Sequence, residues 1–261
     1  MKRDLEGQWA LITGASSGFG IDFAHLLAAR GAKLVLVARR VTPMRAQARE
    51  LRAAHGTQCE VIGMDLAHPG VGPDLAERLD GRGIDIDLLI NNAGYGVFGD
   101  FVDQPLAAHG AMLLLNIVAL TELTHVFGAR MAARGAGRIL LVGSLGGFQP
   151  LPTYAAYAAS KAYVLSFGEA LHIELAPRGV TVTVLCPGAT RTNFLSVSGQ
   201  TLPYADKLLA DSRPVAKAGL DALFAGRASV VPGIANKSTA FSNRMLPRGV
   251  LPKLAYRLLR K

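Results

Sequence analysis

Ser144, Tyr157 and Lys161 fall within eighteen residues, in the run S-L-G-G-F-Q-P-L-P-T-Y-A-A-Y-A-A-S-K from Ser144 to Lys161. If Tyr157 and Lys161 share a helix, their spacing of four puts them on one face. A free tyrosine has a pKa of about 10 and is a poor acid or base at neutral pH. A lysine cation beside it favours the phenolate and lowers that value. A phenol tuned this way can exchange a proton with a carbonyl or alcohol oxygen. That proton transfer accompanies the arrival or departure of a hydride at the neighbouring carbon. Such a reaction needs a hydride carrier and a scaffold that holds it against the tyrosine.

The scaffold reads as alternating strands and helices. Trp9–Thr13 (W-A-L-I-T) is an apolar strand, followed by G-A-S-S-G-F-G with glycines at 14, 18 and 20. An alanine-rich helix over 21–30 and a strand over 33–38 complete a βαβ unit. The alternation continues with a helix over 43–55 and a strand over 58–64. A variable segment comes next, then a strand over 86–90 that ends in N-N-A-G. A long helix over 105–134, a strand over 138–142, a helix over 153–176 and a strand over 180–186 follow. Apolar strands alternating with helices predict an α/β fold: one doubly wound, Rossmann-type parallel sheet of about seven strands with helices on both faces. Residues 1–261 read as a single such domain. Residues 189–214 lose the pattern and read as a substrate-binding loop or lid. A helix over 215–224 and an edge strand over 229–232 precede a basic extension over 234–261.

Half of the residues are apolar and 18% are charged, enough apolar content for a large core. No apolar run reaches the roughly 18 residues of a membrane span, and the N-terminal residues lack a secretory pattern. The two cysteines, Cys59 and Cys186, have no metal-ligand or disulfide spacing. These features lead us to expect a cytoplasmic protein with no metal and no nucleic-acid partner. The net charge is +9, and no acidic residue follows Asp221. Eight basic residues do follow it: Arg227, Lys237, Arg244, Arg248, Lys253, Arg257, Arg260 and Lys261. That tail reads either as solvated surface or as a basic amphipathic segment making weak contact with a membrane surface. Pro247 and Pro252 would confine any helix there to about Lys253 onward.

In doubly wound sheets, ligands bind at the carboxyl ends of the strands near the switch in strand order. A glycine loop at the first strand end lets the backbone approach a pyrophosphate, and the following helix start favours the anion. The second strand ends in Arg39-Arg40, and no acid lies between Lys33 and Arg49. An acid there would suit the ribose hydroxyls of NAD, whereas arginine accommodates the 2′-phosphate of NADP.

T-G-A-S-S-G-F-G at 13–20, N-N-A-G at 91–94, Asn116, Ser144, Y-A-A-S-K at 157–161 and P-G-A-T-R-T at 187–192 appear in order over residues 9–192. In this the chain resembles the short-chain dehydrogenase/reductase superfamily, in its one-domain, NADP-preferring branch. Beyond residue 192, V-V-P-G with a following Asn and the basic tail resemble a subgroup of bacterial short-chain reductases. The resemblance implies an NADP(H)-dependent carbonyl reductase. Tyr157 would be its general acid/base, Lys161 would lower the phenol pKa and hold the nicotinamide ribose, and Ser144 would bind the substrate oxygen. Asn116 would anchor a proton-relay water. Gly14, Ser16, Ser17, Gly18, Phe19 and Gly20 would cradle the cofactor, with Arg39 and Arg40 at its 2′-phosphate. Asp65 and Leu66 would meet the adenine, and Asn92, Ala93 and Gly94 the adenosine side. Pro187, Gly188, Thr190 and Thr192 would meet the nicotinamide.

Candidate pocket walls are Tyr95, Phe98, Leu145, Phe148, Leu151, Tyr154 and Phe194, mostly apolar, which points to a hydrophobic ketone, aldehyde or secondary alcohol. Tyr154 has no lysine four residues on and reads as a wall. The resemblance also implies a homodimer or homotetramer built on helices 105–134 and 153–176. Two other readings stand beside the reductase: a non-catalytic NADP-binding sensor or scaffold, and a lipid or acyl ketone reductase recruited to a membrane surface.

Overall fold

The structure, a computed structural model, describes residues 3–200, 209–242 and 250–259. Seven strands form one sheet: β1 (Trp9–Thr13), β2 (Lys33–Ala38), β3 (Cys59–Gly63), β4 (Leu88–Asn91), β5 (Gly137–Val142), β6 (Val180–Leu185) and β9 (Ser229–Val230). Their order is β3-β2-β1-β4-β5-β6-β9, and every pairing is parallel. The chain winds outward from β1 to β3, then starts again on the other side of β1 at β4. The carboxyl ends of β1 and β4 therefore flank a crevice.

Side chains alternate between two cores with the period of two that a pleated strand imposes. Trp9, Leu11, Val35 and Val37 face one core with α3 (Val71–Asp80), α5 (Leu120–Arg134) and α6 (Ala155–Leu175). Ala10, Ile12, Leu34 and Leu36 face the other, with α1 (Phe19–Ala28), α2 (Val41–His55) and a helix we number α8 (Ser212–Phe224). A parallel strand buried on both sides has no polar face, which is why these strands are apolar runs.

Three segments depart from the sequence reading. The variable stretch after β3 contains the helix α3. Its start is held by Glu122 of α5, whose carboxylate accepts from Gly70 N (3.0 Å) and Gly72 N (3.1 Å). The long helix is continuous but not uniform. α4 (Leu106–Leu113) passes into a π-helical turn (Leu114–Ala119) and then into α5. Residues 189–214 include the paired two-residue strands β7 (Thr190–Arg191) and β8 (Ala210–Asp211) and the short helix α7 (Phe194–Ser198). Residues 201–208 of that expected lid lie outside the described residues.

The C-terminal extension holds α9 (Ile234–Ser242) and α10 (Val250–Leu259). The proline limit placed at Lys253 does not hold, because Pro252 is the third residue of α10. The first turn of a helix has no intrahelical acceptors for its N–H groups, so a missing N–H there breaks nothing. Residues 243–249, 260 and 261, including Pro247, lie outside the described residues.

Against the expectation that no apolar run is long enough, an 18-residue window within Leu106–Arg134 has a mean hydropathy of 1.6, enough by length and composition for a membrane span. It is built into the fold instead. Met112, Leu123, Phe127 and Met131 are buried, and the last three belong to the core under the sheet.

Candidate active site

A cleft of about 750 Å³ opens along the carboxyl ends of β1, β2, β4, β5 and β6. Its floor at one end is the glycine loop between β1 and α1. Gly20 is required there by close approach. A Cβ on it would lie 2.3 Å from Gly14 O and 2.8 Å from Ala15 Cα, so any side chain would push α1 off the loop. Gly14, Ser16, Ser17, Gly18 and Phe19 line the cleft, while Gly20 supports it from behind.

Asn92 fixes the loop to β4. Its side-chain amide donates to Thr13 O (2.8 Å) and Gly14 O (3.3 Å), and its own N–H reaches Thr13 Oγ1 (3.0 Å). Arg39 and Arg40 leave the end of β2 and are exposed on the cleft edge. Arg40 donates to Ser16 O (3.3 Å) and Ser16 Oγ (3.4 Å). Asp65 and Leu66 line the same end, and Asp65 Oδ1 accepts from Ala67 N (3.1 Å). A backbone cradle, a helix start and two exposed arginines form a donor set that fits an anionic dinucleotide.

The middle of the cleft holds the reactive side chains. Ser144 follows β5 in an extended conformation, and its Oγ accepts from Gly146 N (3.0 Å). Leu145 N donates to Pro187 O (2.8 Å), tying this turn to the one after β6. Tyr157 and Lys161 lie one turn apart on α6, and both face the cleft. A hydrogen bond from Ser144 favours the Tyr157 phenolate, but desolvation is the larger effect and pushes the phenol up to about 12. Burial pushes Lys161 the other way, down to about 8.

The expectation that Lys161 lowers the phenol pKa is not met, because burial sets the direction of the shift. Lys161 Nζ donates to Val142 O (2.7 Å) and is 5.9 Å from the centroid of the Tyr157 ring. The ammonium is spent on a carbonyl, and the dry site penalises both charged forms.

These shifts make stability depend on pH. Between about pH 8 and 10 the unfolded chain protonates this lysine while the folded chain does not, so stability rises with pH. Above pH 10 the raised Tyr157 works in the opposite direction. Relative to Lys161→Met, the wild-type chain should gain roughly 2 kcal/mol between pH 8 and 10. Urea unfolding at each pH measures this, and a constant difference between the two proteins would refute it.

Asn116 does not line the cleft. It is fully buried in the π turn, where Nδ2 donates to Tyr95 O (3.0 Å) and Ser160 Oγ (3.1 Å) and Oδ1 accepts from Tyr95 N (3.2 Å). It thereby fixes the loop after β4 against α6, behind Lys161.

The far end of the cleft is apolar, lined by Leu145, Leu151, Tyr154, Phe194, Leu195 and Val197, with Tyr95 beside it. Two expected walls are absent. Phe148 packs on the core below, because the 3-10 turn Leu145–Phe148 carries it to the opposite face. Phe98 stands behind Tyr154, with ring centroids 5.2 Å apart. Tyr154 is a wall, and it also ties α7 to α6. Its hydroxyl bonds to Ser198 Oγ (2.9 Å) and Gln200 Oε1 (2.8 Å). The residue before it, Thr153, holds a left-handed backbone (φ 67°) and accepts from Gly99 N (2.9 Å).

Pro187, Gly188, Thr190 and Thr192 line the side opposite Tyr157. Asn193, Ser198 and Gln200 were missed by the sequence reading, and Asn236 was given no site role there. Asn236 is pressed against Gly188: a Cβ on that glycine would come within 2.5 Å of its amide. The only sequence signal was the Asn itself, four residues after Pro232. The other three are polar residues in an irregular stretch, with no pattern to mark them. Among the described residues no group of His, Cys, Asp or Glu could hold a metal ion.

Comparison with known proteins bears on this geometry. The family model described as short chain dehydrogenase matches residues 8–202. The very-long-chain 3-oxoacyl-CoA reductase of Podospora anserina is 37% identical over 186 residues, which is 69% of this chain and 54% of that protein. The chain thus spans about half the length of that relative. A short-chain dehydrogenase from Sphingobium yanoikuyae, solved in complex with NADPH, superposes with a TM-score of 0.81 at 33% identity, covering 94% of this chain and 95% of that one. The bulky-bulky ketone specific alcohol dehydrogenase from Comamonas testosteroni superposes with a TM-score of 0.76 at 34% identity, covering 91% and 92%.

Proposed function

Because this chain belongs to the short-chain dehydrogenase/reductase family of oxidoreductases, we propose that it is an NADP(H)-dependent reductase of bulky apolar ketones, working reversibly on the matching secondary alcohols. The observation that carries this reading is the placement of Tyr157, hydrogen-bonded to Ser144, between the glycine cradle and the apolar end of the cleft. When bound, the nicotinamide supplies or accepts the hydride. The chain's own residues do the rest. The cradle and Arg39–Arg40 hold the phosphates. Ser144 Oγ orients the carbonyl oxygen and steadies the charge that develops on it. Tyr157 Oη delivers the proton to that oxygen. A phenol is neutral at pH 7, and burial only strengthens that, so Tyr157 is already in the acid form that ketone reduction needs.

The walls argue for the substrate class. Leu151, Tyr154, Phe194, Leu195 and Val197 offer area for an apolar group. The bulky-ketone and 3-oxoacyl specificities in the names of similar proteins support the same class. α7 and the residues around it, latched by Tyr154, act as the cover over the substrate.

The test is NADPH oxidation against a panel of bulky aryl ketones, 3-oxoacyl thioesters, ketosteroids and polar keto sugars. Turnover should favour the bulky apolar members by at least tenfold. Fastest turnover of the polar sugars would overturn the substrate class. NADPH binding with no turnover on any substrate would favour the sensor reading.

A further inference from the structure

The apolar end of the cleft has a polar group with nothing to bond. Gln200 follows α7, lines the cleft and is only 6% exposed. Two contacts fix its position. Its backbone N–H donates to Leu195 O (3.0 Å), which holds the residue on α7. Its side chain meets Tyr154. Ser198 Oγ–H can donate to the Tyr154 oxygen (2.9 Å), which leaves the Tyr154 proton for Gln200 Oε1 (2.8 Å). The carbonyl end of the amide is thus used. The other end, Nε2, is buried and has no acceptor among the described residues.

Burying amide N–H groups without an acceptor costs free energy, and a native chain rarely keeps such a group without a use for it. Among the described residues, four side chains hold buried polar atoms of this kind: Gln47, Thr57, His109 and Gln200. The first three do not line the cleft, whereas Gln200 does. Phe194, Leu195 and Val197 of the neighbouring α7 have no side-chain acceptor to offer it. A molecule seated in the cleft can supply one. The Tyr154 ring is 5.6 Å from the Tyr157 ring, centroid to centroid, and Phe194 packs on both, at 6.1 and 5.2 Å. The proton donor and the orphaned amide therefore belong to one aromatic wall, and a single ligand can meet both.

We propose that Gln200 is a specificity-determining residue, whose amide donates to a second acceptor oxygen on the substrate. The preferred ketone then has an apolar body and a further neutral carbonyl, as in an ester, a thioester or an amide. A carboxylate fits less well, because the α7 side chains Phe194, Leu195 and Val197 bring no charge to offset it. This inference rests on the reading of the cleft as a ketone site and adds what that ketone must carry.

The test is the affinity of keto esters for the full chain saturated with NADP⁺, where a ketone binds without being reduced. Aryl ketones with an ester carbonyl at successive distances from the ketone are each compared with the alkyl ketone of the same length. At least one ester should bind the wild-type chain about tenfold or more tightly than its alkyl counterpart. In Gln200→Met, which keeps the length of the side chain and removes the donor, the ratio should fall to within about threefold. Ser198→Ala loosens the latch on Tyr154 but keeps the amide, so it should retain the preference, which a merely structural role for the network would not allow. A wild-type ratio near unity for every ester, the result if a water satisfies the amide whatever is bound, would overturn the proposal. So would a preference that survives in Gln200→Met. Preference for an ester, lost in Gln200→Met, with no turnover of any ketone on NADPH would sink the reductase reading and uphold the role of the amide.

Discussion

Replacing Tyr157 with phenylalanine is expected to lower turnover about a thousandfold or more while leaving NADPH affinity within about twofold. The magnitude follows from what general acid catalysis contributes, roughly 10² to 10⁴, together with loss of the Ser144 partner that orients the same oxygen. The affinity should hold because the cofactor-end contacts come from other elements: the glycine loop, the end of β2 and the turns after β4 and β6. The fold should hold too. The variant loses one hydroxyl and one hydrogen bond, worth about 1 kcal/mol, while the ring keeps its packing on Phe194 and Tyr154 (centroids 5.2 and 5.6 Å). Steady-state kinetics and a fluorescence titration with NADPH measure the two quantities separately. Turnover within tenfold of wild type would remove Tyr157 from the mechanism.

The arginine pair carries the second large effect. Arg39→Ala/Arg40→Ala should raise the dissociation constant for NADPH between about tenfold and a hundredfold, the range expected when charge-assisted bonds to a phosphate are lost at an exposed edge. NADH, which has no 2′-phosphate, should change by less than about threefold. The single variants separate two roles. Arg40 also holds Ser16 through its carbonyl and hydroxyl, so Arg40→Ala should weaken both cofactors slightly. Arg39→Ala should act on NADPH alone. An equal loss for both cofactors in Arg39→Ala would refute the role assigned to that side chain.

These predictions rest on residues that were visible in the sequence, and the reason is physical. A glycine where a Cβ would come to 2.3 Å from a carbonyl oxygen, as at Gly20, and a Tyr–Lys pair one helical turn apart are demands on residue type at fixed spacing. The sheet was legible for a similar reason, since strands buried on both faces admit little but apolar residues. What was hidden depends on distant partners. α3 has no capping residue of its own, and its start is held by Glu122, about fifty residues later. Phe148 reads as one of the apolar pocket walls, but a 3-10 turn sends it onto the core. The expected influence of Lys161 on Tyr157 assumed that proximity along a helix decides a pKa. Burial decided it instead.

The π turn at Leu114–Ala119 sets a rule about chain length. Such a turn holds one residue more than an α-helix would place there. Removing one residue inside the turn, for example Ile117, would let the helix close to regular spacing with its two flanks still in register. Leu123, Phe127 and Met131 would stay in the core, and Glu122 would stay on Gly70 and Gly72. The loss would fall on the turn itself, where Asn116 bonds Tyr95 and Ser160. The surplus residue thus serves the site and not the core: a chain shortened by one there is expected to fold with the loop after β4 no longer held by Asn116.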